Sequence, residues 1–125
     1  MQIYKTPLKE FKFLIEDFLK LHESDFLKNQ ELETSDLMLI IEEAAKLCEE
    51  TLLPLNQSGD SEGCKFDNGN VSAPKGFKDA YKLFAENGWQ GLKVKEEFGG
   101  QNLPYIMNML LDEMISSTNM SFGLY

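Results

Sequence analysis

The side chains of this sequence that could do chemistry are few and scattered. There is one histidine, His22, at the end of a helical pattern, with no cysteine or second histidine to complete a nucleophile pair or a metal set. It reads as a surface or capping residue. The acidic pairs Glu42 and Glu43, Glu49 and Glu50, and Asp112 and Glu113 are sequence neighbours. Neighbours leave a helix in different directions, so none of these pairs can share a reaction centre; solvation or a buried salt link is their expected use. Asp112 and Glu113 stand out because they interrupt a nearly apolar helix, where an unpaired charge is costly. They should meet a lysine, a helix N-terminus or a partner domain. Gly99 and Gly100 do not make a phosphate fingerprint, since no GxGxxG follows a strand and no GxxxxGK[ST] occurs. Met107, Met109, Met114 and Met120 read as core filler rather than as an adaptable binding surface. The residues alone therefore indicate no catalytic set and no metal site.

Composition narrows the setting. With 125 residues the chain holds one domain's worth of sequence, and 42% hydrophobic with 26% charged residues is the profile of a folding domain, not of a disordered one. Acidic residues outnumber basic ones 21 to 12, a formal charge of −9, so a phosphate backbone would be repelled and nucleic acid is excluded as a partner. All basic residues are lysines, which leaves any anion site to Lys or to backbone N–H groups. Cys48 and Cys64 have no CxxC spacing and no secretory leader is visible, so a reduced, cytoplasmic setting is expected. No apolar run approaches the roughly twenty residues of a membrane span.

The elements that would position these residues are helical. Thr6 and Pro7 read as N-cap and first helical position, followed by an apolar stripe of Leu8, Phe11, Leu14, Ile15, Phe18 and Leu21 that ends near His22. Residues 23–33 read as a connection from which Phe26 and Leu27 tuck toward the core. Thr34 or Ser35 caps a second helix with Asp36 in its first turn. Its face carries Leu37, Ile40, Ile41, Ala44, Cys48, Thr51, Leu52 and Leu55, and Pro54 either kinks its last turn or ends it. Residues 57–72 read as a surface loop with a tight turn at Asp67, Asn68, Gly69 and Asn70. Pro74 opens a third helix with Phe77, Tyr81, Phe84 and Ala85 on one face and Asn87, Gly88 as its stop; Trp89 packs under that end. Leu103 and Pro104 start a fourth helix, apolar almost all round and hence central. Asn119 caps the start of a fifth, whose Met120, Phe122, Leu124 and Tyr125 still call for partners, so the chain is expected to be a piece of something longer.

The run Gly88, Trp89, Gln90, Gly91, Leu92, then Glu96, Glu97, Phe98, Gly99, Gly100, Gln101, Asn102, Leu103, Pro104, then Asp112, Glu113, Met114 resembles the N-terminal helical domain of acyl-CoA dehydrogenases. That family has a GW-x-GL stretch, a PEEYGG-like turn and a helix ending in an EE-L run at these distances. Lys95 replaces the usual proline and Asn102 a common glycine, and Asn still tolerates a left-handed backbone. Tyr4 to Leu8, the Ala44, Ala45 helix reaching Leu53 to Asn56, and Gly59, Asp60, Glu62, Gly63 resemble the longer subfamily with an added N-terminal helix, which includes 3-methylmercaptopropionyl-CoA dehydrogenases.

The resemblance implies an all-α helical-bundle domain over 34–125, incomplete at its C-terminus and cut before a middle β domain, with 1–33 as extension helix and connection. It implies a flavoenzyme that dehydrogenates an acyl-CoA thioester: a glutamate takes the α proton, the β hydride passes to FAD, and the electrons go on to an electron-transferring flavoprotein. Base and most flavin contacts lie in parts of the family absent from this chain, so no catalytic residue is assigned here and the chain alone should be inactive and hold no FAD. The enzyme would be a homo-oligomer. By placement against the EE-L run, Asn119, Phe122 and Gly123 match positions lining the acyl-chain cavity, and Phe122 would limit it to a short acyl group. The rival reading is a free-standing helical module that binds a protein partner through its apolar helix.

Overall fold

A computed structural model describes residues 3–124. The chain opens with α1 (Leu8–Phe13), widened at its end into a π-helical turn (Leu14–Phe18), then a 3-10 turn (Leu21–Glu23) and a short α2 (Asp25–Asn29). One continuous helix follows: α3 (Thr34–Lys46), a π-helical segment (Leu47–Leu52) and α4 (Leu53–Glu62). A hairpin of β1 (Lys65–Asp67) and β2 (Asn70–Ser72) leads to α5 (Phe77–Glu86), two 3-10 turns (Trp89–Gly91 and Glu96–Phe98), α6 (Tyr105–Asn119) and a last 3-10 turn (Phe122–Leu124). The architecture is thus mostly helical. Among the described residues no helix is long and apolar enough to cross a membrane.

The core forms where α3 and the π segment lie against α6 with α1 alongside. Phe11, Leu37, Ile41, Leu52, Met107 and Met114 are all buried there. Burial on α6 is one-sided: Leu110, Leu111, Met114 and Ile115 face inward, whereas Tyr105 and Met109 are exposed. The helix is therefore not enclosed all round among the described residues. The methionines divide in the same way, Met107 and Met114 filling the core and Met109 and Met120 facing out.

Several boundaries differ from the sequence pattern for local reasons. Pro7, not Thr6, occupies the cap position of α1, because the Thr6 carbonyl closes a tight turn onto Leu8 N at 2.8 Å and the Thr6 N–H is taken by the Glu49 carboxylate at 2.9 Å. The helix stops at Phe18 because Lys20 takes a left-handed φ of 49°. Residues 23–33 contain α2, capped by the Ser24 hydroxyl on Leu27 N at 3.3 Å; Leu27 is buried but Phe26 is exposed. Glu33 rather than Thr34 or Ser35 caps α3, and its N–H donates to Asp36 at 2.9 Å.

The larger differences lie around Pro54. The helix does not end there; the π widening just before it leaves Pro54 at the start of a new α segment, where a missing N–H costs little. Residues 57–62, expected in the surface loop, stay helical as far as Glu62. Gly59 there lets Phe77 pack directly on the helix: a Cβ would stand 2.5 Å from Phe77 Cε2. The tight turn holds, with Asn68 and Gly69 at φ of 46° and 84° between Phe66 and Val71, which pair across the hairpin. In α5 the buried residues are Phe77 and Ala80, while Tyr81 points outward. Asn87 and Gly88 end that helix, Gly88 at φ 74°, and Trp89 is buried beyond it.

Candidate pocket wall at the end of α6

Two strands of irregular chain set where α6 begins. Residues 91–94 and 100–103 run side by side, Gln101 N donating to Gly91 O at 2.9 Å, Asn102 N to Val94 O at 2.8 Å and Leu103 N to Leu92 O at 2.7 Å. The Gln101 side chain adds a bond to Gly88 O at 3.1 Å. Contact this close demands glycine: a Cβ on Gly100 would lie 2.0 Å from Val94 O. Gly99 and Asn102 supply the left-handed turns, at φ 82° and 50°. The paired glycines are therefore filled by the chain's own backbone and form no cradle for a dinucleotide phosphate. Gly99 and Gly100 therefore offer no site for FAD.

At the other end of α6 the helix closes on polar groups. The Thr118 hydroxyl donates to Met114 O at 2.8 Å, and Asn119, 1% exposed, donates from Nδ2 to Leu52 O at 3.1 Å. Asn119 Oδ1 accepts from Phe122 N at 3.1 Å and from Ser121 Oγ at 2.7 Å, the capping role its sequence position suggests. Gly123 lies where a Cβ would stand 2.9 Å from Ile115 Cγ2. The turn is thereby pressed onto α6.

That turn presents Phe122. Its ring meets the Phe84 ring edge-on, centroids 5.6 Å apart and planes at 76°. It also lines an open, largely apolar cavity of about 340 Å³ with Ala73, Phe77, Lys78 and Tyr81. Of the three residues expected at a pocket, the structure brings Phe122 to this cavity, whereas Asn119, at the end of α6, and Gly123, next to Phe122 in the turn, are not among the residues that line it. Tyr81 and Ala73 are not legible as its neighbours, since the helical pattern assigns Tyr81 to the core face and leaves Ala73 between the surface loop and the third helix.

Electrostatics elsewhere are structural. Burial pushes the Cys48 thiol up to about 12, against the neighbouring Thr118 hydroxyl. Burial would raise Glu49 too, but the bonds from Lys5 Nζ at 2.7 Å and Thr6 N leave its carboxyl below the usual range. Burial also raises Tyr4, whose hydroxyl, like that of Thr6, is buried without a hydrogen-bond partner. This N-terminal strap spans more than forty positions and no sequence signal announces it. His22 is exposed beside Glu23. Asp112 is exposed and accepts from Asn108 Nδ2 at 2.8 Å, so among the described residues it meets neither a lysine nor a helix N-terminus. Both cysteines are free thiols, Cys64 exposed. No cluster of three metal-ligating side chains occurs among the described residues.

Comparison with known proteins gives the relatives. Residues 34–125 match the family described as acyl-CoA dehydrogenase, N-terminal domain. The chain is 36% identical to a 3-methylmercaptopropionyl-CoA dehydrogenase of Ruegeria pomeroyi over 122 residues, 97% of this chain and 21% of that protein. It is 27% identical to a butyryl-CoA dehydrogenase of Syntrophomonas wolfei over 128 aligned positions, 98% of this chain and 21% of that protein. The chain thus spans about a fifth of the length of the curated relatives it matches.

Proposed function

The chain belongs to the acyl-CoA dehydrogenase family as its N-terminal domain, and from that membership we propose that it supplies a wall of the acyl pocket in a flavin-dependent acyl-CoA dehydrogenase. The observation that carries the reading is Phe122. It stands against Phe84 and lines the open, largely apolar cavity with Phe77 and Tyr81, an environment that takes a hydrocarbon tail. Asn119 and Gly123 hold its turn. A bulky ring at this point limits the tail, which suits a short acyl group such as 3-methylmercaptopropionyl-CoA.

The reaction is α,β-dehydrogenation of the thioester, with electrons passed to an electron-transferring flavoprotein. The catalytic base and the FAD site belong to other parts of the full-length protein, so none of the glutamates here is the base and the isolated chain is inactive. The enzyme is a homo-oligomer working in a reducing, cytoplasmic setting, in which Cys48 and Cys64 remain thiols.

The test is Phe122→Ala in the full-length enzyme, assayed against straight-chain acyl-CoA thioesters of increasing length. Preference should move toward longer chains by about tenfold in kcat/KM, the lower end of what a methylene is worth in an apolar pocket. An unchanged preference would remove Phe122 from the pocket.

A further inference from the structure

We propose that Asn119 is a positioning residue for the acyl pocket: its buried amide ties the widened segment of the α3–α4 helix to the turn after α6, and so fixes how far the Phe122 ring stands into the cavity. The proposal rests on the reading of Phe122 as pocket wall.

The amide is used on both sides. Oδ1 accepts from Phe122 N and Ser121 Oγ, while Nδ2 donates to the Leu52 carbonyl 67 residues away in sequence. The first function alone is an ordinary helix cap, which Ser, Thr or Asp supplies equally well. The second needs a donor on the same short side chain, and among capping residues Asn carries an amide donor beside its acceptor. Its partner is a carbonyl of a residue with no exposure, at the end of the π segment and two positions before Pro54.

The consequence is mechanical. Phe122 follows the bridge by three residues, and its own N–H is one of the bonded groups. Gly123 lets the turn lie flat on Ile115. Loss of the bond to Leu52 therefore frees the turn from the α3–α4 helix, and the ring retreats from the cavity with it. Wall depth is set by a residue that does not line the cavity.

The experiment uses the full-length, flavin-loaded enzyme with Asn119→Ser, which keeps a capping oxygen but cannot reach Leu52, alongside Phe122→Ala. Both kcat and KM are measured over a series of acyl-CoA lengths, with thermal unfolding in parallel. Asn119→Ser should shift the ratio of kcat/KM for long over short thioesters by about tenfold, in the direction of Phe122→Ala and carried in KM. If Phe122→Ala shifts the ratio while Asn119→Ser lowers the melting temperature and scales all substrates equally, Asn119 is structural only and the proposal is overturned. An unchanged ratio in Phe122→Ala removes the pocket wall itself, and the proposal with it. Should Asn119→Ser fail to fold, Asn119→Asp, which keeps the shape and the capping acceptor but loses the amide donor, is read by the same ratio.

Discussion

Replacing Gly100 by alanine should damage the turn before α6 far more than replacing Gly99. The added Cβ at position 100 would stand 2.0 Å from Val94 O and 2.4 Å from Val94 C and Cβ. These are mostly backbone atoms, fixed by the Asn102 bond to Val94 O at 2.8 Å. Restoring contact distance requires the two segments to part by more than 1 Å, roughly, which breaks the bonds from Gln101, Asn102 and Leu103 at about 1 kcal/mol each. Residual overpacking adds about 1 kcal/mol or more, for a total near 4 kcal/mol. That is a large share of the 5–15 kcal/mol, roughly, that a domain commands. Gly99, by contrast, has open space around it and only its φ of 82° to protect, so alanine there costs about 1–2 kcal/mol. Urea unfolding read by Trp89, the one tryptophan and part of the same motif, measures both. Equal losses, or a greater loss at Gly99, would refute the steric argument.

The cysteines should separate cleanly. A thiol reagent at pH 8 should label Cys64 at once and Cys48 only on unfolding, since Cys64 is exposed and Cys48 buried; rapid double labelling of the native chain would contradict its packing. Burial holds the folded Cys48 thiol up to about 12 against 9.0 for the free group, so above pH 9 the unfolded state binds fewer protons. The stability from this group is full below pH 9 and drains away as the pH rises toward 12, which urea midpoints across that range will report. Glu49 acts in the opposite sense. Its carboxyl is lowered from 4.5, so its contribution is present above that value and lost as the pH falls through its folded pKa. Glu49→Gln, or acidification, should loosen residues 3–7, read as faster amide exchange at Thr6; unchanged exchange would mean the strap is held by other contacts.

What the sequence makes legible here is local chemistry. Asn68–Gly69 prescribes a tight turn, Asn87–Gly88 a helix end, and Asn102 and Asn119 perform the left-handed and capping roles their type allows. The apolar stripe running from α3 into the π segment identifies Leu37, Ile41, Ala44 and Leu52 because helical spacing projects them to one side. The continuation through Pro54 is not legible, because it depends on a π widening upstream and on Phe77 settling against Gly59 from another helix. Tyr81 shares the spacing of a core residue and still faces out, since Phe77 and Ala80 already fill the space beneath α5. The clasp of Lys5 and Thr6 on Glu49, and of Asn119 on Leu52, joins residues more than forty positions apart, and no local pattern encodes such pairs. For the candidate site, Phe122 is reachable through family resemblance; its neighbours Ala73, Phe77 and Tyr81 emerge only from packing.

The central claim is that this domain forms part of a flavin-dependent acyl-CoA dehydrogenase. Its most direct test is the intact mass and visible spectrum of the protein purified from its native source, before and after addition of an acyl-CoA. The account predicts a polypeptide about five times this length, in keeping with the 21% coverage of its relatives, with flavin absorption that the thioester bleaches. A colourless product of 125 residues, indifferent to acyl-CoA, would contradict it.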